Sequence, residues 1–311
     1  MGFNTPAQIV DAAANAGKYK GNLPIWQFLL RGFMAGAYIA VGAGLCTVCS
    51  TAASNYLGAG IGKLISGAVF PVGLIAIVLT GMELFTGDAM LVPLATMLGR
   101  STWGKVINTW IWVYIGNLLG SLAYAYIMVN GPFISGNFGA AEPNAFGLNA
   151  VAIAVGKTLT YKAAGSSGLW SCFLSAIGCN FLVNVAILLG LAAKDVIGKF
   201  FGIWFPIMAF VATGFEHCVA NMYFLPAGLW LTQKFPGLVT KMVDGNPWNP
   251  LLANNGGLSW GDVWVWNLIP ATIGNIIGGM IFIGVVYYFC FRDELPVDTP
   301  APAATGKSVS R

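Results

Sequence analysis

The stretch Gly214–Met222, GFEHCVANM, contains His217, the only histidine of the chain, directly after Glu216. It lies inside an apolar run from Phe200 to about Leu231. A lone histidine in a soluble protein is usually structural, but an ionisable pair in an apolar membrane core is costly unless it is paired or faces water. Gly214 permits a backbone break just before the pair. A half-helix starting near His217 points its positive end at that break, which favours an anion.

A second stretch of this kind, Thr80–Met90 (TGMELFTGDAM), lies in the apolar region from Ile61 to about Gly99. It carries Glu83, Thr86 and Asp88 between apolar runs, together with the glycines Gly81 and Gly87. Such a segment predicts a loop folded back inside the membrane, which is tolerated only where protein covers it or where it lines a cavity. The Thr86 hydroxyl either binds a carboxylate or caps a helix, and the sequence leaves both readings open.

The composition of the whole chain predicts an integral membrane protein. Of its 311 residues, 57% are hydrophobic and only 8% are charged, against about 25% charged residues in a soluble domain. The net charge of +4 comes from scattered basic residues, so no nucleic-acid partner is expected. The first 25 residues are mixed polar and alanine-rich rather than basic and then apolar, so we expect no cleavable signal peptide.

Six membrane elements are predicted, because a helix needs about 20 residues to cross the bilayer. They run Trp26–Cys49, Ile61–Gly99, Trp103–Val129, Leu169–Ala192, Phe200–Leu231 and Val263–Phe291. The second and fifth are too long for one crossing, so each is predicted to consist of two half-helices.

The distribution of Lys and Arg predicts the orientation. With the N-terminus inside, the inner segments hold nine of these residues and the outer loops five, without counting Arg31 in the first span. Both termini are therefore expected in the cytoplasm of a multi-pass cell-membrane protein. The predicted organisation is a cytoplasmic segment 1–25 with a short surface helix before Gly21, a transmembrane channel domain 26–292, and a disordered tail 293–311.

The two halves of the sequence repeat each other weakly. The matching motifs are Phe70-Pro71 before Thr80-Gly81-Met82-Glu83, Phe205-Pro206 before Thr213-Gly214-Phe215-Glu216, and Ile115-Gly116-Asn117 with Ile273-Gly274-Asn275. Three elements in each half mean that the second half enters from the opposite side, which is an inverted 3+3 repeat. Interrupted helices at matching positions are the usual sign of a transport site near the midplane.

Small and amide residues inside the spans predict close helix packing. The pairs Gly32/Gly36, Gly116/Gly120 and Gly274/Gly278 form GxxxG motifs, and Asn117, Asn180 and Asn275 lie beside small residues. Such asparagines more often join helices than line a pore. Cys46 and Cys49 form a C-x-x-C without a second pair or a nearby histidine, so we expect packing residues and no metal or cofactor.

Different roles are expected for the two neighbouring ionisable residues. A neutral His217 imidazole can donate a hydrogen bond to an anion, or pass a proton to the anion of a weak acid. Glu216 is expected to accept hydrogen bonds from exposed backbone N–H groups at the break, because a carboxylate facing the pore would repel anions.

From about Trp26 to Arg292, these motifs resemble the formate/nitrite transporter family, and its formate transporter branch most. The motifs that carry the resemblance are GFEHCVANM at Gly214–Met222, MELFTG at Met82–Gly87, Gly178-Cys179-Asn180 with the following FLV, and NLIPATIGNIIGG at Asn267–Gly279. The sequence departs from the family pattern at Met82, where the family prefers a small residue, and at Asn184, where it often has cysteine.

The resemblance implies an all-α, aquaporin-like pore in each protomer of a homopentamer, with formate and protons as partners. It implies the following site residues: His217, Thr86, Asn180 and Asn275 in the pore, with Glu216, Glu83 and Asn221 supporting the broken helices, and constrictions at Phe70 with Phe210 and at Leu74 with Phe85. It also implies a lysine that attracts the anion, for which Lys162 is the candidate and Lys157 the alternative.

Other classes of membrane protein fit less well. The paired Asn-Pro-Ala loops of water channels are absent, and one histidine cannot form the histidine pair of an ammonium channel. A membrane-embedded enzyme is not expected, because there is no H-E-x-x-H motif and no Ser/His/Asp constellation; a purely structural membrane protein is disfavoured by His217 in a broken helix. Formate, nitrite, hydrosulfide, acetate and lactate remain open as substrates, as do uptake or export and channel or proton symport.

Overall fold

The computed structural model describes residues 2–136 and 142–295. The helices of the first half are α1 (Pro6–Lys20), α2 (Ile25–Ser50), α3 (Ala53–Leu57), α4 (Ala59–Val69), α5 (Val72–Thr80), α6 (Phe85–Met97) and α7 (Trp103–Asn130). A two-stranded hairpin, β1 (Ile134–Ser135) with β2 (Glu142–Pro143), follows α7.

The second half continues with α8 (Ala145–Ala164), α9 (Ser166–Ala192), α10 (Val196–Thr213) and α11 (Cys218–Lys234). The segment after α11 contains β3 (Met242–Val243), β4 (Asn246–Pro247) and α12 (Pro250–Asn254). The last helical stretch comprises α13 (Trp260–Val263), α14 (Ile269–Gly279) and α15 (Val286–Phe291), joined by π-helical turns and followed by a 3₁₀ turn at Arg292–Glu294.

Six helical stretches within the described residues are long and apolar enough to cross a membrane, which confirms the predicted number of spans. The predicted second region divides into α4, α5 and α6, and the fifth into α10 and α11. Gly81 ends α5 with φ +72° and Gly214 ends α10 with φ +80°. Both helices therefore stop at a glycine in the left-handed conformation, as the sequence predicted for Gly214.

The GxxxG motifs lie where helices pack closely. A Cβ added at Gly36 would lie 2.0 Å from the Asn117 carbonyl oxygen, and one at Gly120 would lie 1.8 Å from that of Phe33. These positions lie where α2 packs against α7. Gly274 lies at the contact of α14 with α9, where an added Cβ would be 2.5 Å from the Phe173 carbonyl oxygen. Backbones at this separation leave no room for a side chain, which is the packing that such motifs favour.

Two helices outside the predicted spans complete the bundle. The predicted surface helix forms as α1, but one of its faces is buried against α6, and a Cβ at Gly17 would lie 1.9 Å from the Leu91 carbonyl oxygen. The sequence did not predict α8, because its lysines made this segment look like an outer loop. It packs against α9 and α11, with Ala154 against Gly228. Of the predicted tail, residues 296–311 lie outside the described residues.

Gly36→Ala should destabilise the bundle, because the new methyl group must push α2 away from the Asn117 carbonyl of α7. Overpacking of this kind costs about 2 kcal/mol, and the thermal unfolding midpoint in detergent measures the loss. Gly60→Ala in α4 is the control, since a Cβ there meets nothing within 4 Å. Equal midpoints for the two variants would contradict the close α2–α7 packing.

Candidate transport site

The site is built where two half-helices begin inside the bundle. In the first half, α6 begins at Phe85 after the break that follows Gly81. In the second half, α11 begins at Cys218, and His217 is its N-cap residue. Helix N-termini carry unsatisfied N–H groups and a partial positive charge, so each start needs polar partners.

Asn117 satisfies the start of α6. Its Oδ1 accepts a hydrogen bond from the Phe85 N–H at 2.9 Å, and its Nδ2 donates to the carbonyls of Glu83 at 3.0 Å and Gly32 at 2.8 Å. One buried amide side chain thus joins both ends of the break to the neighbouring helix α2.

Asn275 makes the same three bonds in the second half. Its Oδ1 accepts from the Cys218 N–H at 2.8 Å, and its Nδ2 donates to the carbonyls of Glu216 at 2.9 Å and Ala176 at 2.8 Å. The two sets of bonds match at the positions that the sequence repeat aligned. The inverted orientation of the halves stays a prediction.

His217 and Thr86 bring the two breaks into contact. The His217 Nε2 lies 3.1 Å from the Thr86 Oγ1, and both side chains are buried. The His217 Nδ1 accepts a hydrogen bond from the Ala220 N–H at 3.1 Å. Since an amide N–H only donates, the neutral ring carries its hydrogen on Nε2 and donates it to Thr86. The Thr86 hydroxyl hydrogen is then free to serve another acceptor.

This geometry argues against Thr86 as the cap of α6, and binding of a carboxylate by its hydroxyl stays a prediction. Leu84 occupies the N-cap position of α6, and the Thr86 side chain bonds His217 instead of a backbone N–H. The carbonyl of Thr86 is held by two amides of α9, with Asn180 Nδ2 at 3.0 Å and Asn184 Nδ2 at 3.2 Å. Asn180 therefore supports the pore residues from outside both of the cavities described below.

Aromatic rings cover the histidine. Phe210 stacks on His217 with ring centroids 5.7 Å apart, and Phe70 meets Phe210 edge-on at 5.6 Å. Phe85, assigned to the other constriction by resemblance, packs edge-on against Tyr114 at 5.0 Å. The predicted pair Phe70 and Phe210 is thus in contact beside the histidine.

Two open cavities approach this centre and share no lining residue among the described residues. The α8 vestibule, of about 440 Å³, is lined by Lys157, Glu216, His217, Phe70 and Phe210, among others. The α1 vestibule, of about 330 Å³, is lined by Lys20, Arg31, Leu74, Glu83 and Asp88, among others. Phe70 lines the α8 vestibule and Leu74 lines the α1 vestibule, and these two residues are four apart in the chain, which is about one helical turn.

Glu216 is buried in the wall of the α8 vestibule with four side-chain partners. The donors are Lys157 Nζ at 2.9 Å, Tyr161 Oη at 2.9 Å, Asn221 Nδ2 at 2.7 Å and Asn267 Nδ2 at 3.1 Å. The expectation that Glu216 accepts backbone N–H groups is therefore wrong. Asn275 already satisfies the Cys218 N–H, which leaves the carboxylate to neutralise a lysine.

Lys157 and Lys162 differ in position. The Lys157 ammonium lies in the α8 vestibule against Glu216. Lys162 forms an ion pair with Asp262 at 2.8 Å, is 41% exposed, and is not among the residues that line this cavity. The geometry thus favours Lys157 as the vestibule lysine.

The α1 vestibule has a corresponding lysine that the sequence reasoning missed. The Lys20 Nζ contacts the Glu83 carboxylate and lies 3.1 Å from Asp88 Oδ1. Burial alone would lower the pKa of Lys20, but the carboxylates of Asp88 and Glu83 outweigh it and raise that pKa above its ordinary value. Lys20 and Lys157 both lie on the helix that precedes the first span of a half. The sequence signal for this contact is weak, because Lys20 and its partner Glu83 are 63 residues apart in the chain.

A membrane-spanning helical bundle in which two half-helix N-termini meet between two cavities defines a membrane channel or transporter. Comparison with known proteins gives the particular family. The formate/nitrite transporter family profile matches residues 7–289. The chain therefore belongs to the formate/nitrite transporter family, a family of transporters and not of enzymes.

Individual relatives match over nearly the whole chain. A probable formate transporter of Methanothermobacter thermautotrophicus is 38% identical, over 94% of this chain and 98% of that protein. The formate channel FocA of Escherichia coli K12 is 32% identical, over 93% of this chain and 95% of that protein. A solved pentameric formate channel with formate bound has a TM-score of 0.65 and 30% identity, covering 86% of this chain and 98% of that chain.

Lys157→Gln should destabilise the protein by about 3 kcal/mol, because it leaves the buried Glu216 carboxylate without its cation. The double variant Lys157→Gln with Glu216→Gln removes both charges and should recover most of that loss. Lys162→Gln should cost under about 1 kcal/mol, because its ion pair is more exposed. Thermal unfolding in detergent measures the stability of all three variants. If the double variant lost as much stability as Lys157→Gln alone, the result would argue against the pairing of Lys157 with Glu216.

Proposed function

We propose that the chain transports formate, or a closely similar small monovalent anion, across the cell membrane between the two vestibules. The observation that carries the proposal is the contact of His217 Nε2 with Thr86 Oγ1 where the α6 and α11 N-termini meet. Two positive helix ends and a free hydroxyl hydrogen favour an anion at this point. The names of the relatives, which are formate transporters and channels, support formate as the substrate.

The path begins in the α8 vestibule, where Lys157 supplies positive charge. The rings of Phe70 and Phe210 then remove water from the anion, because an apolar constriction admits little water. Beyond them the Thr86 hydroxyl, polarised by the His217 Nε2–H, donates a hydrogen bond to the anion. Leu74 lies on the far side of the wall, in the α1 vestibule.

Proton coupling uses the same two side chains. A second proton on His217 binds at Nδ1, which must first release the Ala220 N–H. The imidazolium then gives its Nε2 proton to the Thr86 oxygen while the Thr86 hydroxyl proton passes to the anion. The neutral acid leaves, and the ring is neutral with its hydrogen on Nδ1.

The assembly is a homopentamer with one pore in each protomer and both termini in the cytoplasm. The solved pentameric formate channel supports this proposal, because the chain aligns with 98% of it. The excess of positive residues on the inner segments supports the orientation.

Proteoliposomes that contain the full chain test the substrate. Labelled formate should enter saturably, and nitrite, hydrosulfide and acetate serve as competitors. Flux of a competing anion without formate flux would keep the family and change the substrate. Absence of flux for every one of these anions would overturn the proposed function.

His217→Asn tests the proton route. Asparagine is a good N-cap residue and donates a hydrogen bond, but it does not titrate. We expect wild-type formate flux to rise as the pH falls, because protonated His217 becomes more populated. The variant should keep formate flux and lose the pH dependence. An unchanged pH profile in His217→Asn would exclude His217 as the proton donor.

A further inference from the structure

Arg31 is a charged residue within the span α2 that the transport path described above does not use. Its side chain is 26% exposed and lines the α1 vestibule together with Tyr19. An ionisable residue inside a membrane span is costly and usually marks a functional site. A position beside an open cavity gives its charge access to water and to a ligand.

The contacts of Arg31 leave much of its hydrogen-bonding capacity unused. Nη2 donates to the Tyr19 hydroxyl at 3.1 Å, and the guanidinium lies 5.8 Å from the centre of the Tyr19 ring. Nη1 is 3.8 Å from Glu83 Oε1, which is too long for a hydrogen bond. A guanidinium has five N–H donors, and Arg31 makes no other hydrogen bond within residues 2–136 and 142–295.

Of the two cations that line the α1 vestibule, Arg31 is paired more weakly with the carboxylates than Lys20 is. The carboxylates that face the vestibule are Glu83 and Asp88, and the other cation is Lys20. Lys20 contacts Glu83 and lies 3.1 Å from Asp88, so it is the main partner of both. The Arg31 charge is therefore available to an anion from solution.

The other half of the molecule has no arginine at the matching place. Asn117 bonds the carbonyl of Gly32, and Asn275 bonds that of Ala176 in the same way. Arg31, one residue before Gly32, thus corresponds to Ser175. Arg31 lines the α1 vestibule, whereas no arginine among the described residues lines the α8 vestibule.

We propose that Arg31, oriented by Tyr19, is a binding site for planar anions with two oxygen atoms at the mouth of the α1 vestibule. Two guanidinium N–H groups bind the two oxygens of a carboxylate in parallel, as arginine does in bidentate pairs. The Tyr19 hydroxyl accepts from Arg31, so its own hydrogen is free to bond the same anion. Formate, acetate and nitrite have this shape, and hydrosulfide does not.

This site rests on the proposed function. It gives the transporter a different affinity for the anion on the α1 side than on the α8 side. An anion that enters from the α1 side binds Arg31 before it reaches Thr86 and His217. An anion that enters from the α8 side meets the vestibule of Lys157 first. Loss of the two parallel N–H donors of Arg31 should therefore raise the half-saturating formate concentration from one side of the membrane only.

Arg31→Lys is the main test, because lysine keeps the charge and lacks the planar fork. Initial rates of formate flux are measured in right-side-out and inside-out membrane vesicles that contain the full chain. The half-saturating formate concentration should rise about tenfold in one vesicle type, as expected for the loss of a hydrogen bond to a charged group. The maximal rate from that side should rise by the same factor, because equilibrium across the membrane requires the ratio of maximal rate to half-saturating concentration to be equal in both directions. The inhibition constant of hydrosulfide should stay unchanged.

Two further variants keep the test decisive. Tyr19→Phe keeps the ring and removes the hydroxyl that orients Arg31, so it should raise the half-saturating concentration about threefold in the same vesicle type. Arg292→Lys, at an exposed arginine after α15, should change neither vesicle type. Unchanged values in Arg31→Lys, or an equal rise in both vesicle types, would overturn the site. Absence of wild-type formate flux would instead overturn the proposed function.

Discussion

The structure depends on one constraint, which is that a backbone group in a membrane interior must find a hydrogen-bonding partner in the protein itself. A helix broken in mid-membrane exposes N–H groups and carbonyls that water cannot reach. Asn117 and Asn275 each supply these partners at one break. The side-chain oxygen accepts from the N–H at the start of the half-helix, and the side-chain amide donates to a carbonyl before it. With the backbone satisfied in this way, the two half-helix starts are held together, and side chains at the starts are left for other chemistry.

The hydrogen-bond partners of the polar side chains distinguish structural groups from functional ones. The carboxylates of Glu83 and Glu216 are bound by lysines of α1 and α8, so neither presents an unpaired negative charge to a vestibule. The imidazole of His217 is fixed by the α11 start through Nδ1. The Thr86 hydroxyl hydrogen and most of the Arg31 donors have no partner within the described residues, and both groups lie along the proposed path of the anion.

Much of this architecture could be predicted from the sequence, because it follows from local patterns. Hydrophobic runs located the six spans, glycines located the breaks after Thr80 and Thr213, and small residues marked the close helix pairs. The partners of the buried charges could not be predicted, since Lys20 and Glu83 are 63 residues apart and Lys157 and Glu216 are 59 apart. The helix α8 was missed because Lys157 and Lys162 resemble the lysines of a loop until their separate carboxylate partners, Glu216 and Asp262, are known.

The thin wall between the two vestibules also has an electrical meaning. In the proposed transport path each cavity opens to one bulk solution, so water and ions carry the potential of that solution up to the barrier at Phe70 and Leu74. Most of the transmembrane voltage is then expected to fall across this short barrier. Moving one elementary charge through that field is worth about 2.3 kcal/mol per 100 mV. A formate anion that crosses this barrier carries its charge through the full potential difference. The neutral acid carries no charge, so the membrane potential does not affect its crossing.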